Sequence, residues 1–140
     1  DGKNVRDWLF VEDHAKAIDM VQEQGRLFET YNVGGHNEKQ NIEIINIIID
    51  TLQEMLPADD PRRALVSKDL ITYVEDRKGH DRRYAIAPDK IKAEIGWYPE
   101  TDFATGIKKT IAWFFEHEDW MKNVTSGDYQ KYYEDMYANK

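Results

Sequence analysis

Strand-like and helical stretches alternate along this chain of 140 residues, which predicts a mixed fold of the α/β or α+β kind. Three observations carry that prediction. Ile42, Ile45, Ile49, Leu52 and Leu56 recur at helical spacing. Residues 28–33 and 71–74 are short runs rich in β-branched and aromatic side chains. Gly25, Gly34, Gly35, Pro57, Pro88 and Gly96 separate these stretches as turn and helix-end residues do.

Taken in order, residues 7–11 read as a short extended segment. A helix then runs from Glu12 and Asp13, whose carboxylates suit a helix N-terminus, to about Gln24. Ala15, Val21 and either Ala17 or Ile18 are expected to form its apolar face. Gly25 ends it, and 28–33 reads as a strand stopping at Gly34. After a polar loop, 36–40, a strong helix spans 41–56, with Asn41 expected as its N-cap. Residues 57–63 read as a linker and the most breakable point of the chain. The run 71–74 should be a strand, followed by a charged loop and a short strand, 84–86. Pro88 is expected at the first position of a helix ending at Gly96. Asp102 should open another, with Phe103, Ile107, Ile111 and Phe114 or Phe115 facing inward. A last tyrosine-rich helix is expected over 126–137.

Composition narrows the function. With 41% hydrophobic and 12% aromatic residues, the chain can build a core. A net charge of -8 argues against general nucleic-acid binding. Zero cysteines exclude disulfides and thiolate metal sites and agree with a cytoplasmic setting. No apolar run approaches the length of a membrane span. The chain opens at Asp1 in what reads as a loop, which suggests a piece of something longer.

Against that acidic background, Arg77, Lys78, His80, Arg82 and Arg83 crowd into seven residues. Such a knot suits a bound anion, because guanidinium groups pair bidentately with phosphate. The competing reading is a solvated charge run that pairs with itself. Gly79 lets the loop bend or a ligand approach its backbone. Asp76 and Asp81 bracket the knot and are placed to orient its arginines. His80, beside three cations, is expected as a neutral hydrogen-bond donor. Arg6 is a candidate second anion contact. Asn41 joins the site if the start of its helix faces the same cleft. The aromatic groups at 113–115 and 129–137 read as core packing. His14, His36 and His117 lack zinc-site spacing. No Gly-x-Gly-x-x-Gly, no Tyr-x-x-x-Lys and no Gly-x-Ser-x-Gly occurs, so no dinucleotide fingerprint or catalytic motif is present.

The strings Arg6-Asp7-Trp8-Leu9-Phe10-Val11-Glu12-Asp13-His14, Glu29 through Glu38 with its Gly34-Gly35-His36-Asn37-Glu38, Asp76 through Tyr84, Gly96-Trp97 and Ser126-Gly127 closely resemble the dTDP-glucose 4,6-dehydratases. The resemblance covers essentially the whole chain. These are extended short-chain dehydrogenase/reductases, so it implies an α/β fold. It further implies that residues 1–35 end a truncated NAD-binding Rossmann lobe and that 36–140 form the C-terminal sugar-nucleotide-binding lobe. The complete enzyme of that family uses NAD+ to oxidise the glucose C4 hydroxyl, eliminates water across C5 and C6 and returns hydride to C6. Its catalytic and NAD-binding motifs lie outside this chain, which is therefore expected to be inactive alone and to bind no NAD+ or metal. Arg6, Asn41, Asp76, Arg77, Lys78, Gly79 and His80 match positions that hold the nucleotide-diphosphate end of dTDP-glucose. The family carries proline where this chain has Lys78, so the loop loses a φ restraint and gains a charge. A homodimer is implied for the full-length protein, and the strand edge from Phe28 to Val33, cut from its sheet, is expected to associate. The rival readings are a UDP-sugar epimerase or decarboxylase of the same superfamily and a non-enzymatic anion-binding module.

Overall fold

The computed structural model describes residues 1–76 and 78–127. Arg77 and the expected tyrosine-rich helix, with Tyr129, Tyr132, Tyr133 and Tyr137, lie outside the described residues. The fold is α/β. Among the described residues the order is β1 (Val5–Asp7), α1 (Val11–Gln24), β2 (Glu38–Gln40), α2 (Asn41–Met55), α3 (Asp89–Ile95), α4 (Phe103–Glu116) and α5 (Glu118–Thr125). Two 3-10 turns, Pro61–Leu65 and Lys68–Leu70, follow α2. The chain divides into two compact units, 1–107 and 108–140, and the division falls inside α4.

The first unit has its core where α1 meets α3. Ala17 and Ile91 are wholly buried, Ile95 and Trp97 nearly so, and Leu9, Met20, Val21, Tyr31 and Val33 pack around them. The buried side of α1 is thus Asp13 and Ala17, while Ala15 and Ile18 are exposed. Of the expected face, Ala17 and Val21 meet the core and Ala15 does not, because Asp13 is drawn inward. Its carboxylate accepts from the Thr101 N–H at 2.9 Å. Its carbonyl accepts from the Trp97 indole N–H at 3.1 Å. A buried carboxylate and a buried indole are both satisfied by this pairing.

No strand forms over 28–33. Phe28 instead sits in the left-handed region (φ 66°) and is fully exposed. The Glu29 N–H donates to the Arg26 carbonyl, closing a turn. A strand needs a hydrogen-bonding neighbour, and the sheet of the described residues contains only β1 and β2. The segment is fastened to α3 by side chains: Tyr31 Oη donates to Glu94 (2.8 Å), Arg26 pairs with the same carboxylate, and Lys90 pairs with Glu29 (2.6 Å).

β1 and β2 run antiparallel with Val5 opposite Gln40, Arg6 opposite Lys39 and Asp7 opposite Glu38. The Asp7 carboxylate accepts from the N–H groups of Gly35 (2.7 Å) and Asn37 (2.8 Å), which turns the chain into β2. Only glycine fits at 35, because a Cβ there would lie 2.4 Å from the Trp8 carbonyl oxygen.

The polar loop expected over 36–40 is therefore partly a strand, and its last residue, Gln40, caps α2. Gln40 and Glu43 form a reciprocal capping box, which leaves Asn41 inside the helix rather than at its cap. Of the expected stripe Ile49 and Leu56 are buried, Ile42 and Leu52 half-buried and Ile45 exposed, while Ile44, outside the stripe, is buried. The expected open linker is also tied down. Asp60 caps the first 3-10 turn, and Arg63 donates to the Leu56 carbonyl at 3.1 Å and to Gln53 at 3.2 Å.

Residues 71–74 are not a strand either; Tyr73 and Val74 are exposed. Downstream, the chain rejoins β1 on the side away from β2. Val5 donates to the Arg82 carbonyl (2.9 Å) and accepts from the Tyr84 N–H (3.1 Å). Pro88 is the N-cap of α3 rather than its first residue, and the helix stops at Gly96 as expected. Asp102 opens α4 by accepting from the Thr105 N–H at 3.0 Å. Phe103, Ile107 and Phe115 are half-buried and Ile111 buried, whereas Phe114 is exposed.

In the second unit α5 follows α4 after His117, an element the sequence reading did not anticipate. Trp113 stacks on His117 (4.2 Å between centroids) and meets Trp120 edge-on at 5.2 Å, so these aromatics form a surface cluster.

Candidate functional site

β1 assembles the site, because it carries Arg6 between β2 and the charged loop. The Arg6 guanidinium lies 4.4 Å from the centre of the Tyr84 ring, a cation–π distance. Nη1 donates to the Val5 carbonyl at 2.6 Å. Nη2 donates to the Asp81 carbonyl at 3.0 Å and to His80 Nε2 at 2.8 Å. Asp81 also accepts from the Tyr84 hydroxyl. The ring on which Arg6 rests is thereby tied to the same loop.

His80 is the second organising residue. Its Nδ1 lies 2.7 Å from the Asp76 carboxylate and its Nε2 faces Arg6. A carboxylate accepts and a guanidinium only donates, so the ring carries its hydrogen on Nδ1 and accepts at Nε2. Both nitrogens are thus engaged by protein groups, and the donor expected to face a ligand is directed at Asp76.

Asn41 reaches this cluster through the backbone. Its N–H donates to the Asn4 carbonyl at 3.0 Å, and the Asn4 amide donates to the Asp81 carbonyl at 3.3 Å. Asn4 thus ties the start of α2, on one side of β1, to the charged loop on the other. Lys78 and Gly79 form the turn between Asp76 and His80, with Gly79 at φ 72°, a conformation glycine adopts without strain. Lys78 is exposed. Arg77 lies outside the described residues.

The far end of the knot is paired, but with carboxylates from outside the run rather than with itself. Arg82 pairs with Asp1 at 2.9 Å and Arg83 with Glu38. Arg6 keeps donors in reserve: among the described residues its Nε–H and one Nη1–H meet no protein acceptor. That is the feature an anion would use. The sequence reading missed Asn4, which bridges the two halves, and the part played by Tyr84 beneath Arg6. Asn4 gave no signal; Tyr84 belonged to the noted string but not to the proposed contacts.

Other chemistry finds less support. Among the described residues no group of three His, Asp or Glu side chains is arranged to hold a metal ion. Among the described residues, the starts of α1 and α2 do not fit the pyrophosphate of NAD. The first turn of α1 carries Glu12 and Asp13, and that of α2 is closed by Gln40 and Glu43. Neither helix N-terminus is left open for a pyrophosphate. No helix among the described residues is long and apolar enough to cross a membrane.

Known proteins resemble this chain in sequence and in fold. The chain is 48% identical to the dTDP-glucose 4,6-dehydratase of Shigella flexneri over 99% of its length, and spans 37% of that relative. Its fold matches the dTDP-glucose 4,6-dehydratase of Bacillus anthracis, solved with NAD, at a TM-score of 0.74 and 44% identity. That match covers 89% of this chain and 36% of the other. The dTDP-glucose 4,6-dehydratase DesIV of Streptomyces venezuelae, also solved with NAD, matches at a TM-score of 0.73 and 36% identity. There 86% of this chain is covered and 34% of the other. The family model for GDP-mannose 4,6 dehydratase matches residues 1–110, and the chain belongs to that family.

Proposed function

We propose that this chain is the sugar-nucleotide-binding portion of a cytoplasmic, NAD-dependent dTDP-glucose 4,6-dehydratase. Residues 36–140 form its substrate lobe and residues 1–35 close its NAD-binding lobe. The complete, homodimeric protein converts dTDP-glucose to dTDP-4-keto-6-deoxyglucose with loss of water, and this chain alone is inactive. The observation that carries the proposal is the pose of Arg6, fixed on three sides yet with two N–H groups unspent. A guanidinium held this way receives phosphate oxygens with little loss of rotamer freedom. Lys78 on the adjacent turn adds a cation, and Asn41 at the start of α2 adds a polar group, to a rim for a diphosphate. The relatives named above, two of them solved with NAD, supply the chemistry that such a rim would serve.

The test uses the complete reading frame with NAD+ and either dTDP-glucose or UDP-glucose, following the 4-keto-6-deoxy product. Turnover of the dTDP sugar is expected, with KM raised about tenfold or more in Arg6→Ala. Turnover with an unchanged KM in that variant would remove Arg6 from the site. Use of the UDP sugar alone, without dehydration, would transfer the protein to the epimerase or decarboxylase class.

A further inference from the structure

We infer that Asp76 is a positioning residue: by fixing the tautomer of His80 it fixes the orientation of Arg6 toward a nucleoside diphosphate. The inference rests on the role proposed above for Arg6. The chain of contacts is short and directional. Asp76 Oδ1 accepts from His80 Nδ1 at 2.7 Å, and His80 Nε2 accepts from Arg6 Nη2 at 2.8 Å.

Which nitrogen of an imidazole carries the hydrogen is set by the partner of the other. With the hydrogen on Nε2, that N–H would confront the Arg6 N–H groups, donor against donor, and the contact would open. Asn4 pulls the other way. Its Nδ2 lies 3.4 Å from His80 Nδ1, and donation there would demand the opposite tautomer. The shorter, charge-assisted bond to Asp76 decides the competition, and the Asn4 amide is left to donate to the Asp81 carbonyl.

Two consequences follow for Arg6. Both Nη2 hydrogens are taken, by His80 and the Asp81 carbonyl, so the guanidinium plane cannot swing. What remains for a ligand is Nε–H and one Nη1–H, in a fixed direction. Asp76 is half-exposed while the His80 ring is mostly buried. The carboxylate thus acts from the rim on a ring already seated in the fold, and its path to Arg6 runs through His80.

The experiment reads the histidine ring nitrogens of the intact protein by nitrogen-15 NMR and titrates dTDP by calorimetry. In the wild type the His80 hydrogen is expected on Nδ1. In Asp76→Ala it moves to Nε2, and the dissociation constant for dTDP rises about tenfold. Asp76→Asn keeps an acceptor oxygen for Nδ1–H and is expected to retain the tautomer and most of the affinity. A merely structural carboxylate would leave the tautomer unmoved. A wild-type ring with its hydrogen on Nε2, or an Asp76→Ala protein that binds dTDP as tightly as the wild type, overturns the inference. Wild-type protein that binds no dTDP overturns instead the function from which the inference starts.

Discussion

The two strands among the described residues are polar, Val5-Arg6-Asp7 and Glu38-Lys39-Gln40, whereas the more strand-like runs at 28–33 and 71–74 form none. The difference lies in what surrounds each stretch. β1 has a hydrogen-bonding neighbour on both sides, β2 on one and residues 82–84 on the other, and Asp7 folds the chain back so that β2 arrives in register. The run 28–33 has side-chain partners instead, with Tyr31 and Val33 packed on the core and Glu29 paired with Lys90. Strand propensity measures how well a side chain suits a half-buried pleated surface, and without a neighbouring ladder it decides nothing.

That contrast can be broken at its strongest point first. Gly35→Ala would drive a methyl group to 2.4 Å from the Trp8 carbonyl oxygen. It should cost about 3 kcal/mol, read as a lowered urea midpoint. Asp7→Ala would leave the Gly35 and Asn37 N–H groups without their acceptor. About 2 kcal/mol is expected from the same measurement. A loss below a few tenths would mean that the turn into β2 holds itself.

On the unpaired side the sign reverses. Phe28→Gly relieves a left-handed backbone that phenylalanine adopts at a cost, and removes no buried contact. It should stabilise by about 1 kcal/mol, seen as a raised Tm. A destabilised variant would show that the exposed ring has a partner.

The smallest effect is a pH dependence. The Tyr31 hydroxyl and then Arg26 hold Glu94 below its ordinary value of 4.5. Hydrogen bonding and charge from Lys90 do the same for Glu29. Groups depressed in the folded state contribute stability above their unfolded value and lose it as pH falls through the folded one. Below pH 4.5, amide exchange in residues 26–31 should therefore rise while β1 and β2 remain protected. Simultaneous loss of both would show that they open as one unit.

Much of the helical layout was legible in the residues. The 41–55 repeat, the Asp102 start and the Gly96 stop each depend on local spacing or local chemistry, and each is found. The faces of α1 and α2 were found in part: Ala17, Val21, Ile49 and Leu56 were expected to face inward, Asp13 and Ile44 were not. Helical spacing marks a stripe, but Asp13 enters the core only because Thr101 and Trp97, distant in sequence, satisfy it. The site divided in the same way. Charge density at 76–84 was plain in the sequence, but the partners of Arg82 and Arg83, Asp1 and Glu38, are distant in sequence and were not. That Arg6 rests on His80 follows from the placement of residues 82–84 beside β1, a pairing no local pattern encodes. Asn4 was invisible for the same reason, since a lone asparagine near the start of a chain has no signature.

The bond from the Trp97 indole to the Asp13 carbonyl joins residues 84 positions apart. During synthesis α1 leaves the ribosome long before the side chain that covers it. Contacts of such range are slow to form because a large loop must close first. A nascent chain ending before Trp97 would hold α1 without its lid, open to proteases and chaperones, and protection should arrive abruptly once that tryptophan has cleared the exit tunnel.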